Sequence, residues 1–191
     1  MTPGRMKAIL LAWLAVSAVP AANDSFIREL DDAARVATVM VDGDVCRKIV
    51  TPRAMDYLLR NDPKDPFLAG DNYEVNYDAF DSVKKTLIRL SRLVSFPADA
   101  NLWMPVPGHP DKIRVVIRNV HELSQFWPWG ALYQNMIPEM KTVLDTGQRV
   151  TVAKKPGWVS VLAPVSDSLG DIVAVVEVAS QRKLDPQGNV K

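Results

Sequence analysis

An α+β fold built on an antiparallel sheet is what this sequence predicts, and three observations carry it. Residues 148–153, 158–165 and 171–179 are short apolar runs with the alternation of β-strands. They are separated by Pro156-Gly157 and by the turn-rich segment 166–170, lengths suited to hairpins, so they form a meander. Ahead of them, helical periodicity at 24–40 and 77–94 precedes a further pair of strands. The expected architecture is a five-stranded antiparallel sheet with a long N-terminal helix and other helices packed on it.

The chain starts with Arg5 and Lys7, an apolar run over 8–19 and the small-residue exit Pro20-Ala21-Ala22. A positive start, a short apolar middle and small residues at the exit are the parts of a secretory signal. Residues 1–21 are therefore expected to be a signal peptide cut after Ala21, because the run falls short of the roughly 20 residues that span a bilayer. The mature protein is then periplasmic or secreted. Residues 22–180 suffice for one domain, since single cores use roughly 100–200 residues. Residues 181–191 read as a polar tail.

Phe26, Leu30, Ala33, Ala37 and Met40 recur at three- and four-residue steps, which predicts a helix opening at Asp24, with Asp24 or Asn23 as its cap. Asp42-Gly43-Asp44 interrupts it; the spacing lacks the twelve-residue loop of a calcium site and reads as a helix terminus. Thr51-Pro52 starts a second helix through Arg60, with the proline suited to a first helical turn. Residues 61–76, rich in Asp, Pro, Gly and Asn, read as a surface loop. Phe80, Val83, Leu87, Leu90 and Val94 make the apolar stripe of a helix over 77–94, leaving Lys84, Lys85, Arg89 and Arg92 on a solvated face. Strands follow at 101–106 and 112–120, joined by Pro107-Gly108-His109-Pro110-Asp111. Residues 133–145 read as a short helix stopped by Gly147, which accepts the positive φ of a helix end.

Charge and motif content exclude several functions. Lys and Arg total 23 against 22 Asp and Glu, with no basic block, so nothing marks a nucleic-acid partner. The single cysteine, Cys46, has no internal disulfide partner and reads as a buried thiol. No Cys-x-x-Cys-His motif is present to attach haem, and no cofactor is expected. His109 and His121 are the only histidines, and neither sits in a metal or nucleophile motif; His121 reads as structural. No phosphate-cradling loop or Gly-x-Ser-x-Gly elbow occurs, so an enzyme is not expected.

The segments Glu139-Met140-Lys141 through Asp145-Thr146-Gly147-Gln148, Gly157-Trp158-Val159-Ser160-Val161-Leu162-Ala163-Pro164-Val165 and Gly170-Asp171-Ile172-Val173-Ala174-Val175-Val176-Glu177-Val178 together resemble the second half of a Cache domain. Cache domains are extracytoplasmic, PAS-like modules of bacterial sensors. The resemblance extends over 25–180, by order and periodicity in its first half. It implies a small-molecule ligand between the helical excursion at 121–147 and the sheet. Under it, Arg118, Tyr133, Trp158 and Ser160 are the candidate ligand contacts and Trp103 a wall, set among the aromatic cluster that includes Phe126, Trp127 and Trp129. It further implies a separate membrane sensor kinase or cyclase as partner, and a homodimer packed through the first helix. The amino-acid signature of double Cache modules is missing, so amino acids are not the implied ligand. The competing expectation is a dimeric structural or interaction protein without a ligand.

Overall fold

The computed structural model describes residues 24–59, 75–127 and 133–183. The expected signal peptide, most of the predicted loop at 61–76, Trp129 and most of the polar tail lie outside them. Five helices are described: α1 (Ser25–Met40), α2 (Gly43–Ile49), α3 (Pro52–Leu59), α4 (Tyr77–Leu90) and α5 (Pro138–Thr146). The strands are β1 (Asp99–Val106), β2 (His109–Ile117), β3 (Gln134–Asn135), β4 (Val150–Val152), β5 (Trp158–Ser166) and β6 (Ile172–Gln181). They form one sheet in the order β3-β2-β1-β6-β5-β4, every neighbouring pair antiparallel.

Side-chain caps fix the starts of α1, α2 and α4. Asp24 accepts the amide of Phe26 at 3.0 Å at the head of α1, and Asp42 accepts those of Asp44 and Val45 at the head of α2. The Asp-Gly-Asp segment is thus the start of a helix. Gly43 itself has no alternative residue, because a Cβ there would lie 2.4 Å from the carbonyl oxygen of Ser166. Asn76 caps α4, and Gly147 closes α5 in the left-handed conformation at φ 69°.

Four departures from the sequence reading have local causes. The sheet has six strands among the described residues rather than five, because two residues of the segment predicted as helix, Gln134 and Asn135, pair with Ile113 and Lys112 on β2. The helix predicted over 133–145 consequently begins only at Pro138, a residue that takes a first helical turn without losing a hydrogen bond. The turn between β1 and β2 is only Pro107-Gly108, with Gly108 at φ 75°, so His109 opens β2 and pairs with Val106. Finally, α4 stops at Leu90, and 118–127 contains neither helix nor strand.

The two faces of the sheet are built differently. One carries Ala100 and Leu102 of β1, Val159, Val161 and Ala163 of β5, and Val176 and Val178 of β6. These pack against Leu30, Ala33 and Ala37 of α1, Cys46 and Ile49 of α2 and Val83 and Leu87 of α4. Burial pushes the Cys46 thiol up to about 12, which leaves it a neutral packing residue. The opposite face carries Trp103, Ile113, Leu162 and Val175 against Met140 and Val143 of α5.

Candidate functional site

Alternation along β1 places Asp99, Asn101 and Trp103 on the second face, while Ala98, Ala100 and Leu102 face the helices. Glu177 of β6 stands opposite Asn101 in the ladder, and Ser160 of β5 lies one pair along, opposite Ala179. All five of these polar or aromatic side chains are fully buried. They form a polar floor in the middle of the sheet.

Glu177 is its centre. The Ser160 hydroxyl donates to Oε1 at 2.7 Å, the Trp103 indole N–H to Oε2 at 2.9 Å, and the Ser124 hydroxyl to Oε2 at 2.7 Å. Burial pushes the carboxyl up to about 7, even though the bonds from Ser160, Ser124, Trp103 and Asn101 favour its charged form. Desolvation is the larger effect because no cation faces it in this network.

The floor holds down the segment at 118–127, which crosses the sheet as a strap. Asp99 Oδ2 accepts the Leu123 amide at 2.8 Å, and its Oδ1 accepts the His121 amide at 3.3 Å and meets His121 Nδ1 at 3.0 Å. Asn101 accepts the Asn119 amide and donates to the Leu123 carbonyl. Gln125 donates to Ser160 Oγ and to the Val152 carbonyl, and accepts the Lys154 amide. Irregular backbone is tolerated over a buried face because these side chains satisfy its polar groups. One position is strained: Glu122 adopts φ 53° without being glycine.

The sequence-predicted contacts fall into three groups. Trp103 and Ser160 come together on Glu177, with Ser160 also accepting from Gln125. Arg118 is exposed and lies over the Trp127 ring, 5.2 Å from its centroid, and Trp127 stacks on Trp103 with centroids 5.7 Å apart. This makes a continuous stack from surface to floor. Trp158 and Tyr133 are both half-buried and join neither group: Trp158 opens β5 opposite Gln181, and Tyr133 precedes β3.

Sequence reasoning missed Glu177, Asp99, Asn101, Ser124 and Gln125. The available signal was an acid inside the otherwise apolar closing strand, together with Asp99 and Asn101 in phase with Trp103. His121, read as structural, anchors the strap to Asp99. Among the described residues no group of His, Cys, Asp and Glu is arranged to hold a metal ion, and no helix is long and apolar enough to cross a membrane. Comparison of the chain with protein-family models, with curated proteins and with solved structures finds no match.

Proposed function

We propose that this chain is an exported, PAS-like module of the Cache type. It binds a small molecule on the sheet face covered by the strap and α5, and passes occupancy to a separate membrane kinase or cyclase. The observation that supports this reading most is the segregation of side chains between the two faces. Aliphatic residues seal one face, whereas the other combines an aromatic stack, Arg118 on Trp127 on Trp103, with a few fixed polar groups. Small-molecule sites have that composition. Arg118 offers a planar fork for an acidic ligand group, and the Glu177 network keeps the floor rigid beneath it. The PAS-like kinship rests on the resemblance in 139–178 and on the antiparallel sheet with helices to either side.

A screen of organic acids, amines, purines and sugars by thermal melting tests the reading, because a ligand specific to the folded state raises the midpoint. A shift that Arg118→Ala removes while the unliganded midpoint stays in place is the expected result. No shift across the four classes would end it. One observation favours a dimeric interaction protein instead: Val39, Met40 and Leu93 are exposed where the ends of α1 and α4 meet. Native mass spectrometry showing a stable dimer free of ligand would turn the choice that way.

A further inference from the structure

A second feature lies outside the strap-covered face. A cavity of about 530 Å³ opens between the end of α4, the connection into β1 and the first residues of the strap. That volume is within the range of small-molecule pockets. Its walls are largely apolar, with Ile88, Val94, Phe96 and Val120 among them, and Phe96 is held in place by stacking on Phe26 at 4.2 Å.

Two nitrogen groups on its lining, the Arg92 guanidinium and His121 Nε2, have no partner among the described residues. Arg92 is exposed and makes no ion pair with any described residue. His121 turns Nδ1 to the buried Asp99, which leaves Nε2 as the ring atom without a partner among the described residues. Asp99 therefore does for this imidazole what orienting carboxylates do elsewhere: it fixes the ring, with Nε2 turned away from it. No Asp or Glu is among the residues lining the cavity. Asp99, behind His121, is engaged by the strap, and Glu29 by the Ser95 amide at 2.7 Å. A cationic ligand would meet Arg92 with no carboxylate on the lining, whereas an anion meets a guanidinium and, on the doubly protonated ring, an Nε2–H donor.

The geometry points to this cavity as a binding site for a small organic monoanion, a carboxylate with an aliphatic or aromatic body, gripped by Arg92 and His121. The apolar walls take the body and the two nitrogen groups take the charge. The site goes beyond the ligand proposed for the strap-covered face and stands without it. Val120 and His121 belong to the strap, so a bound anion touches the same segment from its outer side.

The chain has two histidines, and His109 lies far along at the start of β2, which supplies an internal reference. Benzoate and butyrate are titrated into the protein at mildly acidic pH while the ring carbon signals of both histidines are followed by NMR. The His121 signal should move and saturate with the His109 signal still. Arg92→Gln, a change on an exposed turn, should weaken binding about tenfold or more. Benzyl alcohol and benzylamine should leave the His121 signal in place. Equal movement of both histidines, an equal response to benzylamine, no saturation with either carboxylate, or unchanged affinity in Arg92→Gln would each overturn the assignment.

Discussion

The two faces of the sheet bury comparable elements by opposite means. Against α1, α2 and α4 the contact is made by alanine, valine and leucine, where stability follows from area removed from water and depends little on direction. Against the strap it depends on direction throughout: Asp99, Asn101, Ser160 and Glu177 each meet particular partners at hydrogen-bond distance. The difference teaches that this sheet uses one face to fold and the other to hold a single conformation of an irregular segment. Helices need only a stripe to pack upon; a strap without a helix or strand ladder needs named partners.

The sharpest way to break the comparison is Trp103→Ala. It removes a fully buried ring and one donor to Glu177, and should cost roughly 3 to 5 kcal/mol in urea unfolding. Amide exchange over 119–127 should accelerate with it. Leu87→Ala on the apolar face, a buried truncation of roughly 2 to 5 kcal/mol, should leave strap exchange at the level set by global unfolding. Selective strap loosening in Leu87→Ala would dissolve the distinction between the faces.

The next largest effect is on pH dependence. Folding raises the Glu177 carboxyl from its ordinary 4.5 to about 7, so between those values the folded state holds a proton that the unfolded chain has released. Stability from this group is therefore lost as pH rises through that window, by up to about 3 kcal/mol above it. Unfolding free energies measured across the window should fall in the wild type and stay level in Glu177→Gln. A matching slope in both proteins would place the proton elsewhere.

The smallest expected effect lies in the strap itself. Glu122→Gly, at φ 53°, should relieve left-handed strain and stabilise the chain by up to about 1 kcal/mol, read as a raised unfolding midpoint. A loss of stability there would mean that the Glu122 side chain has a role in the strap.

How much of this was legible follows the same division between faces. The closing strands β5 and β6 and the helix stripe ending in Leu87 and Leu90 could be read because periodicity is a local signal. The strap could not. Residues 118–127 have no period, and their path is set by Asp99 and Asn101 about twenty positions earlier. Glu177 was hidden for a related reason: its donors come from Trp103, Ser124 and Ser160, 74, 53 and 17 residues distant. Of the predicted contacts, Trp103 and Ser160 were placed together by strand phase alone, whereas Arg118 reaches the group only through Trp127. The β2 boundary was misplaced because Pro110 reads as a turn residue, yet it sits at the start of a strand, where a missing amide proton is tolerated.

The margins of the sheet have a consequence of their own. At one side stands β3, two residues long, and at the other β4, three residues long and followed by Lys154, Lys155 and Pro156. These two border strands are short, and lysine and proline follow β4, so each offers an incoming chain little main-chain ladder of its own to copy, a device by which natural sheets resist templated aggregation. Strand addition onto β3 or β4 themselves is thereby disfavoured.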